Sequence, residues 1–347
     1  MEKYLTKDSL DRFAALIGAA RRVAIVCHMS PDGDALGSSL CLMQVLRSMG
    51  KHASVMTPDS PPRTLSFLPG FEDITVVSYH ADRARYNFSN ADVIVCLDFN
   101  DLKRVDRTAP LIEASKARRI MIDHHLNPTL DAEVMISVPQ KSSTCMLLFE
   151  VLRGVGLDRF VDREGATCCI AGMMTDTGNF SYNANDPEIY RVLAELMERG
   201  VDKTEIYNRL FNTVSLKRFR IMAYAQYART HVMPEHSCAI ITLSLDDLHE
   251  FGYTKGDTEG LVNTPLAIPG IVYSIFLRED TPNYVKVSMR SKGNFSVKKL
   301  CEEHLGGGGH LNAAGGDIHK PLDQALPDIL ALLPEADEML LGYSEKN

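Results

Sequence analysis

The stretch "RRVAIVCHMSPDGDALGSS" (residues 21–39) joins a short apolar run to a segment whose spacing predicts a helix. A continuous Val/Ala/Ile run is typical of a strand in a parallel sheet that is buried on both faces. Between the two elements lie His28, Asp32 and Asp34. A turn would account for the Ser, Pro and Gly here, and Asp34 could serve as a helix N-cap. Carboxylates this close together repel each other, so their crowding also indicates a cation between them.

The same alternation of strand-like and helical patterns continues through the first half of the chain. Further strand-like runs are "HASVMT", "ADVIVCLDF" and "RRIMID", with helical patterns near 108–116, 142–155, 163–174 and 187–199. From about residue 236 the pattern changes to "SCAIITLSL", "GIVYSIFLRED" and "YVKVSMRS". We therefore predict an α/β fold with a parallel-sheet N-terminal domain over 1–215, a helical linker over 216–235, and a smaller mixed α/β domain over 236–340.

Composition limits the classes of function. A length of 347 residues suggests two domains, and the formal net charge of −8 argues against a protein that coats long duplex nucleic acid. The eight cysteines include no CxxC pair, which is typical of reduced, buried thiols. The N-terminus lacks a signal-peptide pattern, and no apolar run approaches the length of a membrane span. These observations predict a cytoplasmic protein with no membrane partner.

Further acidic and imidazole side chains follow the predicted strands and one helical segment. They are Asp98, Asp123, His124, His125 and Asp176. The carboxyl ends of parallel strands meet at one edge of a sheet, so we expect these groups to lie together with the first three. Unpaired buried charges are costly, and two divalent cations would compensate them. A site rich in carboxylate oxygens with two imidazoles suits Mn²⁺ first, with Mg²⁺ or Co²⁺ as alternatives. Two bridged metals of this kind serve in-line attack on phosphorus.

Five ordered motifs carry a resemblance to a known family. "HMSPDGDALGSS", "CLDFND", "IDHH" and "MTDTGNF" resemble the four motifs of the DHH phosphoesterase superfamily. "GGGGHLNAAGG" (306–316) resembles the signature of the DHH-associated domain in the RecJ-like branch. The match spans almost the whole chain and is similar to the NrnA-like group of nanoRNases (oligoribonucleases) and 3′-phosphoadenosine 5′-phosphate (pAp) phosphatases. The resemblance implies a cleft between the two domains.

The resemblance also implies roles for individual residues. One cation would be held by His28, Asp32 and Asp98, and the other by Asp34, Asp98, His124 and Asp176, with Asp98 bridging. His125 would be catalytic, facing the scissile phosphate, and Asp123 would orient an imidazole or simply accept backbone hydrogen bonds. Arg104 would contact substrate or pair with an aspartate.

The C-terminal glycine run has two interpretations. It could be a flexible linker, but it is short and ends in His310, and glycines let backbone N–H groups approach a phosphate. The resemblance favours nucleotide binding, with Ser288 and Arg290 of "VSMRS" beside the loop. The predicted substrate-binding residues of this domain are Ser288, Arg290, Gly307, Gly308, Gly309 and His310.

We therefore predict a metal-dependent hydrolase that cleaves very short single-stranded RNA or DNA oligonucleotides and converts pAp to AMP. The absence of Trp and of repeated aromatic stacking platforms favours short substrates. The alternatives are hydrolysis of linear dinucleotides such as pApA, then an inorganic pyrophosphatase or exopolyphosphatase, then a non-catalytic nucleotide sensor. The resemblance also implies a homodimer.

Overall fold

The computed structural model describes residues 5–344, and the chain divides into two compact units between residues 213 and 214. The strands of the first unit are β1 (Arg22–Val26), β2 (His52–Thr57), β3 (Thr75–Val76), β4 (Val93–Leu97), β5 (Arg118–Asp123) and β6 (Val134–Ser137). Its α-helices are α1 (Lys7–Ala19), α2 (Gly33–Ser48), α3 (Ala81–Ser89), α4 (Ala109–Ala114), α5 (Thr144–Gly154), α6 (Arg163–Asp176), α7 (Pro187–Met197) and α8 (Lys203–Phe211).

The first unit is built on a six-stranded parallel sheet in the order β3-β2-β1-β4-β5-β6. The sequence-based prediction of a parallel α/β sheet is confirmed. After β1 the chain adds strands on one side, and after β4 it adds them on the other. The crevice beyond the carboxyl ends of β1 and β4 is therefore the topological switch point, where open α/β sheets bind ligands. His28 lies just after β1 and Asp98 directly after β4.

Glycines bring helices α2 and α6 into close contact. A Cβ at Gly37 would lie 2.5 Å from the carbonyl oxygen of Cys168, and one at Gly33 would lie 2.4 Å from Oγ1 of Thr175. On the facing helix, a Cβ at Gly172 would lie 3.0 Å from the Gly33 carbonyl oxygen. Only glycine permits this approach, and it brings the start of α2 beside the end of α6. The "GDALG" spacing of 33–37 is the sequence signal for it.

The second unit contains a second six-stranded sheet. Its elements are α9 (Leu216–Ala228), β7 (Thr230–Met233), β8 (Cys238–Leu243), α10 (Leu245–Glu250), β9 (Tyr273–Thr281), β10 (Tyr284–Ser291), α11 (Val297–His304), β11 (Gly308–His310), β12 (Ala313–Ile318), α12 (Leu322–Leu330) and α13 (Leu333–Ser344). The strand order is β11-β12-β10-β9-β8-β7, antiparallel except for the parallel pair β8–β9. The predicted mixed character of this unit is confirmed.

The two faces of the second sheet are covered differently. Alternate residues of β10, among them Val285 and Val287, are buried against α11, α12 and α13. On the opposite face, α9 and α10 pack over β8 and β9, where Phe276 is buried. The polar residues of β10, Lys286, Ser288 and Arg290, alternate with the buried set and so share this second face. They are exposed or half-buried.

Residues 216–235 differ from the helical linker that the sequence predicts. The helix ends at Ala228, and residues 230–233 form β7, which pairs antiparallel with β8. Thr230 and Val232 are β-branched, and β8 offers an edge for pairing. This segment is thus part of the second sheet and its covering helix.

Each of the eight cysteines is buried and unbridged. Burial raises the pKa of Cys96 to about 12, which keeps that thiol protonated. None of the helices within residues 5–344 has the length and hydrophobicity that a transmembrane span requires.

Candidate metal centre

Asp98 lies at the centre of the site. The residue is 1% exposed, and its backbone is in the left-handed region at φ +64°. Its Oδ2 lies 3.3 Å from Nε2 of His28, whereas its Oδ1 lies 3.4 Å from Nε2 of His124. Each carboxylate oxygen of Asp98 therefore faces a different imidazole, which is the geometry that a bridging ligand requires.

The first candidate ligand group consists of His28, Asp32 and Asp98, whose ligand atoms lie within 4.8 Å of one another. Nε2 of His28 is 3.8 Å from Oδ2 of Asp32, and Nδ1 of His28 donates to the carbonyl of Met29 at 2.8 Å. That backbone contact leaves Nε2 available as a ligand.

The N-cap of α2 is Asp32. Its Oδ1 accepts the backbone N–H groups of Asp34 and Ala35, each at 3.0 Å. The idea that Asp34 could cap this helix is wrong, because Asp34 is already within the first turn. One oxygen of Asp32 thus fixes the helix start while the other faces His28.

The second candidate ligand group consists of Asp34, His124 and Asp176. Nε2 of His124 lies 3.3 Å from Oδ2 of Asp176 and 3.8 Å from Oδ2 of Asp34. Nδ1 of His124 donates to the carbonyl of Lys141 at 3.1 Å, which directs Nε2 toward the carboxylates. The structure therefore brings together all six residues expected to be metal ligands. Asp98 belongs to the first group and connects it to the second, because its Oδ1 lies 3.4 Å from Nε2 of His124.

Sequence reasoning missed Thr144, at the start of α5. Its hydroxyl donates to Oδ1 of Asp98 at 2.8 Å. Its backbone N–H and that of Cys145 donate to the two carboxylate oxygens of Asp34, at 2.5 and 2.8 Å. The N-terminus of α5 thus holds two predicted ligands in place. The polar run "KSST" (141–144) before an apolar helix was the available signal.

His125 and Asp123 form a separate pair beside the two groups. Nδ1 of His125 lies 2.7 Å from Oδ1 of Asp123, whose Oδ2 also accepts the backbone N–H of His125 at 2.9 Å. Asp123 thus does both things considered for it: it orients an imidazole and accepts a backbone hydrogen bond. The pairing favours a proton on Nδ1, which leaves Nε2 of His125 as the nitrogen open to a substrate. Nδ1 is also 3.8 Å from Oδ1 of Asp98.

The electrostatics of the site favour positive charge. Burial raises the pKa of Asp34 well above its usual range, and the neighbouring Asp176 and Asp98 carboxylates add to this. Burial and nearby carboxylates also raise the pKa of Asp176 to about 6. Although burial lowers it, the pKa of His124 is raised to about 12 overall by Asp176 and Asp98. The carboxylates exceed what the imidazoles can neutralise, so hard, oxygen-preferring divalent cations fit these donors.

Arg104 contributes to the site through its backbone. Its carbonyl accepts the N–H of Met29 at 2.7 Å, which ties its turn to the residue after His28. The guanidinium is half-buried and forms no ion pair with any residue in the described range 5–344. It is therefore available to an anion, and the predicted pairing with an aspartate is not found there.

In the second unit, most of the predicted substrate-binding residues share one pocket. Ser288, Arg290, Gly307 and Gly308 line an open depression of about 410 Å³ on the partly uncovered face of the sheet. Arg290 donates to the carbonyl of Met289 at 2.9 Å and has no carboxylate partner within the described chain. Burial lowers its pKa. An unpaired, half-buried guanidinium is a candidate anion site. His310 and Gly309 are exposed and lie outside this lining.

The glycines of 306–316 have different roles. A Cβ at Gly307 would lie 1.9 Å from the Gly315 carbonyl oxygen, and one at Gly309 (φ +148°) would lie 2.4 Å from that of Ala313. These two glycines are required for close packing against β12. A Cβ at Gly308 would meet only the Glu302 side chain, at 3.8 Å. Gly308 is therefore the position where the absence of a side chain leaves room for a ligand.

Comparisons with known proteins place both units in one family. Residues 22–173 match the DHH family N-terminal domain, and residues 237–336 match the DHHA1 domain. A bifunctional oligoribonuclease and PAP phosphatase, NrnA, of Thermus thermophilus is 32% identical over 90% of this chain and 89% of its own length. A cyclic-di-AMP phosphodiesterase, GdpP, of Geobacillus thermodenitrificans is 24% identical over 90% of this chain, which spans only 48% of that protein.

Two solved structures are also similar. An exopolyphosphatase-related protein from Bacteroides fragilis has a TM-score of 0.94 and 40% identity, covering 98% of this chain and 99% of its own. RecJ from Thermus thermophilus in complex with Mn²⁺ has a TM-score of 0.52 and 14% identity, covering 99% of this chain and 56% of its own, and it supports the fold alone. The chain thus belongs to the DHH phosphoesterase family, with a DHHA1 domain after its DHH domain, and is a hydrolase of phosphoester bonds.

Proposed function

We propose that this protein is a two-metal phosphoesterase that hydrolyses very short oligonucleotides to mononucleotides and pAp to AMP. The observation that carries the proposal is Asp98, whose two carboxylate oxygens face His28 and His124 in separate ligand groups. The similarity to NrnA proteins, named for both activities, supports the substrate class.

The six ligand residues would hold two divalent cations, and we propose Mn²⁺, with Mg²⁺ or Co²⁺ as substitutes. Carboxylate and imidazole donors suit these ions, and RecJ, a protein of the same fold, has been crystallised with Mn²⁺. Two cations held there would lower the pKa of a bound water and neutralise charge on the phosphoryl oxygens. The ligand carboxylates are fixed in advance by α2 and the N-terminus of α5, so the site needs little reorganisation.

His125 is the proposed general acid. With Nδ1 held by Asp123, Nε2 can donate a proton to the leaving oxygen, while the carboxylate stabilises the imidazolium. Arg104 would contact a phosphate of the substrate. In the second unit, Arg290, Ser288 and the loop 307–310 would bind the portion of the nucleotide that does not react.

A substrate panel tests the proposal. The assay would follow pAp, inorganic pyrophosphate and 5′-labelled RNA of two to ten nucleotides, with Mn²⁺ and with a chelator. We expect Mn²⁺-dependent turnover of pAp and of RNA, with rates highest at two to about five nucleotides, because short chains need few stacking platforms. Asp98→Ala should abolish turnover and reduce metal content at both positions, whereas Asp11→Ala, which removes an exposed carboxylate of the same unit, should preserve both. Normal metal content and turnover in Asp98→Ala would rule out the two-metal assignment, and faster turnover of pyrophosphate than of any nucleotide would rule out the substrate class.

Linear dinucleotides derived from cyclic dinucleotides are the second candidate substrate. The relatives named cyclic-di-AMP phosphodiesterases favour it, although this chain spans only about half of their length. Turnover of pApA at least as efficient as that of pAp and of RNA dinucleotides would select this candidate.

A further inference from the structure

A second depression lies on the same face of the second sheet, beside the one at Arg290. Its volume is about 450 Å³. It is lined by Leu245, Leu248, His249, Tyr253, Lys255, Arg278, Asp280 and Lys286. Neither the sequence motifs nor the proposed metal chemistry uses this pocket.

The pocket is positively charged in a chain whose net charge is −8. Arg278 is neutralised by Asp280, with Nε–Oδ1 at 2.5 Å and Nη2–Oδ2 at 2.9 Å. Lys255 and Lys286 form no ion pair or hydrogen bond through their ammonium groups with any residue between 5 and 344. Lys286 lies directly opposite Arg278 in the β9–β10 register, beside the Arg278–Asp280 ion pair, so its own charge remains available to an anion.

An aromatic residue forms part of the wall. The Tyr253 ring lies 5.1 Å beneath the Arg278 guanidinium, which holds it in place. The Tyr253 hydroxyl is buried, and no group of the described chain hydrogen-bonds to it. The Tyr253 ring, rather than its hydroxyl, is therefore the part of this residue that can form the pocket wall. Together with the ammonium groups of Lys255 and Lys286, the wall offers charged and aromatic surface to one ligand.

Lys286 connects the two depressions, because it lines both of them. Along β10 the residues on this face follow every second position, so Lys286, Ser288 and Arg290 are spaced by about 6.6–6.8 Å each. That spacing is comparable to the separation of consecutive phosphates in an extended single strand. A nucleotide chain that begins at Arg290 could therefore continue past Lys286 into the second pocket.

We infer that the pocket around Lys255 and Tyr253 is an anion subsite for a phosphate of the oligonucleotide, beyond the nucleotide held at Arg290. This inference rests on the proposed function, and it identifies the subsite through which the protein distinguishes longer oligonucleotides from shorter ones. A substrate of one or two nucleotides ends before the pocket. A longer one gains the contact to Lys255, so the pocket favours oligonucleotides over pAp in binding.

Binding measured in EDTA tests the subsite without any contribution from catalysis. Fluorescence anisotropy would compare a labelled pentanucleotide and a labelled dinucleotide on the full chain and on Lys255→Gln. We expect the pentanucleotide Kd to rise about threefold to tenfold. This increase is smaller than the loss of a buried charged contact would cause, because Lys255 is exposed and its charge is screened by solvent. The slope of log K against log salt should fall by about 0.7, the value for one lost contact to a single strand. Lys320→Gln, which removes an exposed lysine of the same unit, should leave both values as in the wild type.

The outcomes separate this inference from the proposed function. In one outcome, the unmodified protein hydrolyses RNA dinucleotides and pentanucleotides, but Lys255→Gln leaves the ratio of their Kd values and the salt slope unchanged. That result would refute the subsite and leave the proposed function intact. If Lys255→Gln weakens pAp and the pentanucleotide equally, the pocket is not a length-reading subsite. If the unmodified protein hydrolyses neither RNA oligonucleotides nor pAp with Mn²⁺, the proposed function is refuted, and the inference that rests on it is refuted as well. A charge reversal, Lys255→Glu, should enlarge the loss for the pentanucleotide.

Discussion

Thr144→Val isolates the contact that the sequence analysis missed. The hydroxyl of Thr144 donates to Oδ1 of Asp98 at 2.8 Å, and both side chains are almost wholly buried. Valine keeps the shape and removes only the donor. The backbone N–H groups that bind Asp34 stay, and the cap of α5 stays, because its N-cap is Ser143. The change therefore acts on the position of the bridging carboxylate.

The magnitude follows from the charge of the acceptor. A hydrogen bond to a charged group contributes about 1.5–3 kcal/mol, and no described group can replace this donor in the buried site. At about 1.4 kcal/mol for each factor of ten, the expected loss is roughly 10- to 100-fold in Mn²⁺ affinity or in kcat/KM at limiting Mn²⁺. Thr144→Ser should restore most of it, because serine retains the hydroxyl.

The assay is a titration of Mn²⁺ binding by calorimetry, paired with dinucleotide hydrolysis across the same Mn²⁺ range. Ser142→Ala is the matched control, because within residues 5–344 the Ser142 hydroxyl hydrogen-bonds to the Met146 sulfur, at 3.5 Å, and to no carboxylate. It should behave like the wild type. Wild-type Mn²⁺ affinity and rate in Thr144→Val would refute the assignment of Thr144 as a positioning residue, as would an equal loss in Thr144→Ser.

Three further predictions concern catalysis and substrate binding. His125→Ala should keep both metals but lose roughly 10²–10⁴-fold in kcat, as expected for a general acid, and metal analysis alongside turnover checks this. Arg290→Ala should lose about 10- to 100-fold in kcat/KM with pAp and dinucleotides but little with bis-p-nitrophenyl phosphate, and an equal loss on both would contradict nucleotide binding by Arg290. Gly308→Ala has space for its methyl group, so its melting temperature should match that of the wild type. Its KM for dinucleotides should rise, and an unchanged KM would mean that the backbone at 308 does not approach the substrate.

Much of the fold could be predicted because its signals are local. The Val/Ile/Ala runs of the first unit form strands that are buried on both faces, so β1, β4 and β5 can be predicted from these apolar runs alone. The short edge strand β7 was not, because Thr230 and Val232 continue a helical pattern and become a strand only by pairing with β8. Strand pairing is a tertiary effect that a single segment does not encode.

The candidate site shows the same division. His28, Asp98 and His124 follow strands whose carboxyl ends meet at one edge of the sheet. Ligands bind at that edge in open α/β sheets, so the proximity of these residues can be predicted from the sequence. Thr144 could not be found in this way, because its role depends on α5 pointing its N-terminus at the site from a different part of the chain. The structural need for Gly307 was equally hidden, since only the packing of β11 on β12 shows that a side chain would collide there.

Asp98 combines three features that are unusual for a residue at the end of a strand. Its backbone adopts φ +64°, its carboxylate is buried, and further carboxylates crowd around it. Strained backbone of this kind costs on the order of 1–3 kcal/mol and persists where the surroundings over-determine it. Although burial raises it, the pKa of Asp98 is lowered overall by His124 and His28, so neighbouring groups stabilise the charge while the backbone strain remains. The left-handed turn after β4 does, however, aim the two carboxylate oxygens at His28 and His124 separately. The placement of the two oxygens thus accounts for the strain, and it supports the proposal that two cations bind at this point.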